Sequence, residues 1–141
     1  MKRRRRTEIL INGSRDIAAR LAGEILERHE IRTVEEPNCG LVMLKVRETA
    51  RKSLFYLGEV LVTECKVRLH GKTGLGIVAG DEPELAFHLA VIDAAYRAGV
   101  RETEGWDAVL EDEAEKIASR RAAFNRGVLR TRVNFEIMSE G

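Results

Sequence analysis

The sequence is poor in several of the residues that announce a function. Only 5% of its 141 residues are aromatic, and it holds two prolines and two cysteines. Cys39 and Cys65 stand far apart with no paired-cysteine motif, so no cysteine-held cluster is expected. They read as ordinary thiols of a reducing compartment. His29, His70 and His88 show no metal-ligand spacing, and no metal site is expected. There is no apolar run of about 18 residues, which excludes a membrane-spanning helix. The N-terminus is basic, but no apolar signal segment follows it, so the expected location is cytoplasmic. With 24 basic and 23 acidic residues the formal charge is +1, and no global charge calls for nucleic acid or a membrane surface. No internal repeat, low-complexity linker or domain boundary is visible, and the length fits one domain with a real core.

What is present is organised around residues 40–80. Val42, Leu44 and Val46 alternate with a side that turns polar at Lys45 and Arg47, the period of a strand with one covered face. Leu54 to Leu57 is a second run, broken by Gly58-Glu59 as a tight turn or bulge would break it. Val60, Val62, Cys65, Val67 and Leu69 form a third run, with a slip of phase that predicts an irregularity near Thr63-Glu64. His70 to Gly74 has the length and glycine content of a hairpin loop. Leu75 to Ala79 returns as an apolar strand, expected to be central or covered on both faces. Ile31 to Val34 adds a short first strand, ended by Glu35-Glu36-Pro37-Asn38.

Helices are expected on either side. Lys2 to Arg6 are five consecutive basic residues, read as a solvated tail or the start of a short helix continuing to Asn12. Gly13 then serves as a stop and Ser14 as the cap of a second helix with the stripe Ile17, Leu21, Ile25. The pair resembles a helix-turn-helix in outline, but Glu24 and Glu27 on its outer face would repel phosphates, which disfavours nucleic acid. Asp81-Glu82-Pro83-Glu84 reads as a helix start with Asp81 as cap. The helix from Leu85 to Ala98 is apolar nearly all round, and Gly99 stops it. Another runs from about Trp106 to Arg126, with Gly127 as its end. Val133, Phe135 and Ile137 then alternate as a late strand. The expected fold class is therefore α+β. It is a single domain, a mainly antiparallel sheet of about four to five strands packed by three longer helices. A C-terminal strand pairs with that sheet or with a partner. Residues 1–13 form a basic arm or short helix, and 14–141 the domain, with a C-terminal arm from about 127.

Motifs of catalysis are scarce. Gly71-Lys72-Thr73 invites a phosphate-loop reading, but Lys66 stands where the loop needs its first glycine, and a strand follows where a helix is required. Gly74-Leu75-Gly76 is too short for a dinucleotide fingerprint. Cys65 and His70 form no evident nucleophile pair, and Glu111, Asp112, Glu113 and Glu115 read as a solvated helix face. Asp93 stands out because a helical projection puts it inside the apolar arc, where an unpaired carboxylate costs several kcal/mol. It is expected either to pair with Arg47 or Arg68 as a structural tie, or to act as a functional acid.

Gly40-Leu41-Val42, Arg47, Phe55, Gly58-Glu59, Leu61, Thr63, Val67-Arg68-Leu69, Gly74 and Gly80 recur in an order and spacing that resemble the PhnG family. Ile92-Asp93-Ala94, Ile117-Ala118-Ser119-Arg120, Arg132-Val133, Phe135 and Met138 continue the likeness, which covers roughly residues 14 to 138. That family is the small G subunit of the carbon–phosphorus lyase core complex of phosphonate metabolism. The resemblance implies a part in transferring an alkylphosphonate to the ribose of ATP, displacing adenine. The implied partners are the H, I, J and L subunits, most directly the large I subunit. It implies no cofactor in this chain, with ATP as substrate of the complex, and iron–sulfur chemistry confined to J. Arg47, Arg68, Arg120 and Arg132 are the family-matching candidates for contacts to an anionic ligand or a neighbouring subunit. Gly58, Glu59 and Thr63 mark a turn of the family pattern, and no residue is singled out as catalytic.

Overall fold

In the computed structural model the order of elements is α1 (Arg3–Asn12), α2 (Arg15–Arg28), β1 (Arg32–Arg47), β2 (Leu54–Leu69), β3 (Lys72–Ala79), α3 (Pro83–Ala98), a 3-10 turn (Arg101–Gly105) and α4 (Trp106–Glu140). The structure describes residues 1–47 and 54–140, and their side chains except for 44–47, 54–57 and 128–140. The class is α+β, with one antiparallel three-stranded sheet in the order β1-β2-β3 among the described residues.

The sheet has fewer, longer strands than the four to five expected. Of the expected first strand Ile31–Val34, residues 32–34 join residues 40–47 in a single 16-residue β1. Register shifts between Thr33 and Glu35 and between Glu35 and Asn38 mark bulges, and Pro37 is accommodated there because β1 is an edge strand. The Asn38 amide patches the disturbance, donating to Glu35 Oε1 and the Glu36 carbonyl at 2.9 Å each. Likewise β2 runs from Leu54 to Leu69 through Gly58, whose φ of 136° only glycine adopts readily. Leu44 opposes Gly58 and Lys45 opposes Tyr56, so Leu57 is the extra residue of a bulge. The phase slip near Thr63 has another cause. Register with β3 is unbroken there, and Thr63, Cys65, Val67 and Leu69 are the buried residues of one face. A threonine simply takes an inward position. Its hydroxyl donates to the Gly80 carbonyl (2.6 Å) and accepts from the Glu82 N–H (3.0 Å), tying the end of β3 to the start of α3. Glu82, not Asp81, is the N-cap of α3, and Pro83 opens it. Asp81 Oδ1 instead accepts from Cys39 Sγ at 3.4 Å.

The expected five-residue hairpin loop is a two-residue turn, His70-Gly71, with φ of 48° and 79°. Both positive values match the turn whose twist suits a hairpin. β3 is an edge strand covered on one face, with Gly74, Gly76 and Val78 buried. The two glycines explain the coverage. A Cβ on Gly74 would collide with Ala90 O and Ala94 N, and one on Gly76 with Ala86 O. The Ala86, Ala90, Ala94 stripe of α3 therefore lies directly on the β3 backbone. α2 packs behind α3 through Ala18, Leu21, Ala22 and Ile25, all at most 1% exposed, so α3 is buried on two sides as its composition predicts. Ser14 caps α2 by accepting from the Asp16 N–H at 3.2 Å, and Gly99, at φ 66°, ends α3.

The C-terminal strand does not form. α4 continues through Gly127 to Glu140, 35 residues in all. Leu129, Val133 and Ile137 recur every four residues as well as alternating with Phe135, so the sequence supports both periods. A helix already 20 residues long adds turns far more readily than a new strand forms, and one interior glycine costs only about 1 kcal/mol.

Gly74→Ala should lower unfolding free energy by roughly 3 kcal/mol or more, because the obstructing atoms are backbone. Gly23→Ala in α2, with open space around its Cβ, should raise it by up to about 1 kcal/mol. Urea midpoints of the two variants against the parent check both signs.

Candidate functional site: the arginine-clamped acid Asp93

Asp93 sits on α3 where that helix overlies the outer edge of β3. Alternate amides of an edge strand have no strand partner. One of them, the Leu75 N–H, donates to Asp93 Oδ2 at 2.9 Å. The carboxylate is 5% exposed and is met by three guanidinium groups. Arg6 Nη2 lies 2.7 Å from Oδ1, Arg3 Nη2 3.0 Å from Oδ2, and Arg97 Nε 3.7 Å from Oδ2. Arg6 is itself 6% exposed, and its guanidinium lies over the Tyr96 ring at 4.3 Å. Burial pulls the Arg6 guanidinium down from its usual range, and Asp93 opposes that pull.

The network continues outward. The Tyr96 hydroxyl donates to Asp107 Oδ1 at 2.8 Å, and its ring meets Trp106 edge-on at 5.6 Å. Trp106 Nε1 donates to Glu24 Oε2 at 2.8 Å. Burial, then the bond to Asp107, pushes the Tyr96 phenol up, while that same bond holds the Asp107 carboxyl low. One acid thus joins α1, α3 and β3, and its neighbours extend the tie to α2 and α4. Three arginines against one carboxylate leave the spot positive, with Arg3 and Arg97 about half exposed.

Asp93's partners are therefore Arg3, Arg6 and its helical neighbour Arg97, in place of the expected Arg47 or Arg68. Arg68 is exposed and points away from the helices, opposite Arg32 and Thr73. Arg47 pairs with Leu54 at the far end of the hairpin, roughly 45 Å from Arg32 by strand rise. Arg120 lies on α4, 3.5 Å from Glu113 Oε1. Glu113 is buried and accepts from the Ser14 N–H at 3.2 Å, so this pair steadies the start of α2. Arg132 falls on the distal part of α4, and its side chain, like that of Arg47, lies outside the described ones. The four candidate arginines are spread over the molecule. Gly58 and Glu59 are exposed at the bulge, while Thr63 ties β3 to α3. Among the described residues no cluster of three or more histidine, cysteine or carboxylate groups is placed to hold a metal.

Sequence reasoning missed Arg3 and Arg6. The run Lys2–Arg6 is no free arm: it enters α1, and Arg3, Arg5 and Arg6 pair with Asp93, Glu111 and Asp93. The signal available was helical spacing, since Arg3 and Arg6 stand three apart and Arg6 precedes buried Ile9 and Leu10 by three and four residues. Three of the five basic residues on which the nucleic-acid reading rested are thus paired inside the domain.

A protein-family model described as "Phosphonate metabolism protein PhnG" matches residues 1–141. No curated protein matches the chain.

Asp93→Asn should destabilise the domain by about 3 kcal/mol, since it strands a buried arginine, and Arg6→Ala should act similarly. Deleting residues 1–6 should do at least as much, whereas Arg68→Ala should stay near the parent in urea unfolding. Burial pushes the Cys65 thiol up to about 11, so at pH 8 it is protonated and unreactive. Iodoacetamide should label exposed Cys39 alone in the native protein and both thiols in urea, as read by mass spectrometry.

Proposed function

The chain belongs to the PhnG family of phosphonate metabolism proteins, and we propose that it is a non-autonomous subunit of the carbon–phosphorus lyase core complex. In this reading it is required for transferring methylphosphonate to the ribose of ATP. Adenine leaves, and the product is α-D-ribose 1-methylphosphonate 5-triphosphate. ATP enters as a substrate of the complex, and the chain itself brings no cofactor. Its partners are the H, I, J and L subunits, with the large I subunit in most direct contact. The observation that carries the reading is the family match over the whole chain.

Two surfaces support a subunit role. The β1–β2 hairpin extends past the helical layer, and Leu41, Met43 and Leu61 are 64%, 53% and 40% exposed although they share the face that buries Thr63. On α4 every residue from Ala118 to Gly127 is exposed, Phe124 at 70%. Apolar side chains displayed this way lose water when a neighbouring subunit covers them. In a second reading the chain is a structural scaffold of the same complex. The pairing of Asp93 with Arg6 and of Arg120 with Glu113 favours it, because these groups already have partners within the chain. Among the described residues no helix is long and apolar enough to cross a membrane.

The purified chain should release no adenine from ATP and methylphosphonate, and its addition to the other subunits should restore that release. Turnover by the chain alone would sink the subunit reading. Leu41→Lys, at an exposed position, should leave the melting temperature near the parent while co-purification with the other subunits falls about tenfold or more. Undiminished co-purification would exclude the hairpin as the docking surface.

A further inference from the structure

Three elements that are distant in sequence meet at one end of the sheet through a chain of hydrogen bonds. His29 is the C-cap residue of α2, His70 is the first residue of the β2–β3 turn, and Glu102 lies in the 3-10 turn. His29 Nε2 is 3.0 Å from Glu102 Oε2, and His29 Nδ1 is 3.0 Å from His70 Nε2. The two rings stand edge to face at 5.1 Å. The His29 and Glu102 side chains are 18% and 10% exposed, while His70 is exposed. Arg28, on α2, adds a charge at this spot, with Nη1 3.9 Å from Glu102 Oε1. Glu102's own backbone N–H, then the bond from His29, holds its carboxyl low, so it accepts and does not donate.

An ionised Glu102 fixes the protons of the whole chain. It takes the Nε2–H of His29, whose Nδ1 is then a bare lone pair, and that lone pair takes the Nε2–H of His70. The Nδ1 of His70 is left as the open end. A first proton can land there without breaking either bond. A second proton has only the shared gap to enter. Two imidazoliums then face each other N–H to N–H, no hydrogen bond joins them, and like charges repel. We propose that Glu102, His29 and His70 form a one-proton latch. It clamps the β2–β3 turn to the end of α2 and to the 3-10 turn while the pair holds at most one added proton, and it releases the turn at the second.

The turn gives the latch something to hold. His70 has a φ of 48°, a left-handed conformation that asparagine and glycine adopt more readily than an imidazole does. The residue chosen is the one whose side chain reaches His29. Release would act on the strand ends that carry Arg68 and its cross-strand neighbour Arg32.

Long-range 15N–1H NMR of the imidazoles in the intact chain provides the test. At pH 8 both His29 and His70 should be Nε2–H tautomers. As the pH is lowered from 8, hydrogen-exchange protection of the Leu69 and Lys72 amides should hold through the first added proton and fall about tenfold at the second, after correction for intrinsic exchange, the worth of one hydrogen bond. His70→Asn preserves a residue suited to the turn and so keeps the hairpin. It should abolish that pH dependence, leaving protection constant within about twofold. An Nδ1–H tautomer at His29 would overturn the proposal. So would a His29 titration curve unchanged in His70→Asn, or equal pH dependence of protection in parent and variant.

Discussion

Helix α3 rests directly on the backbone of β3 at Gly74 and Gly76. Helices usually stand off a sheet by the thickness of the residues in the interface. Here Gly74 and Gly76 on the strand, and Ala86, Ala90 and Ala94 on the helix, remove that spacer. Dispersion contacts rise as the backbones approach, while the tolerance for error falls to a fraction of an ångström. The rest of the domain inherits this placement. It brings α3 low enough for α2 to close over its back. It brings the Thr63 hydroxyl within reach of Glu82 and sets Asp93 level with the open edge of β3.

That last consequence creates a problem that α1 solves. A carboxylate 5% exposed beside an apolar layer must be paired, and the strand amide of Leu75 supplies only part of what it needs. Arg6, threaded over the Tyr96 ring, supplies the counter-charge, with Arg3 and Arg97 around it. Such a pair contributes little net stability beside a well-packed apolar substitute. What it does contribute is direction, because only one docking of α1 brings Arg3 and Arg6 to the same acid. The basic run is therefore part of the domain's architecture.

How much of this the sequence disclosed depends on range. Local signals were readable: the Ser14 cap, the Gly99 stop, the all-round apolar α3 and the break at Gly58 have causes within a few residues of themselves. So was the family, whose residues keep their order along nearly the whole chain. Features decided by distant partners were not readable in the same way. Asp93 could be recognised as buried, but the two arginines that hydrogen-bond it lie 87 and 90 residues away. Thr63 disturbed the alternation because a polar residue occupied an inward position, and nothing local showed that Gly80 and Glu82 would satisfy it. Leu129, Val133 and Ile137 fitted both a helix and, with Phe135, a strand, and the helix already in progress settled the matter.

The length of α4 has a mechanical side. At 1.5 Å per residue its 35 residues reach about 50 Å, against a radius of gyration near 14 Å expected for a compact chain of this size. Trp106, Leu110 and Ile117 fasten its root to the body, Glu113 ties it to the Ser14 N–H, and Arg120 braces Glu113 from farther along the same helix. Beyond that brace the helix is a cantilever of about 30 Å. A tilt of about ten degrees at the root would carry the tip about 5 Å, the pitch of one helical turn. Repacking around Trp106 would therefore be magnified at a distance, and whatever grips the far end would feel changes in the core as displacement.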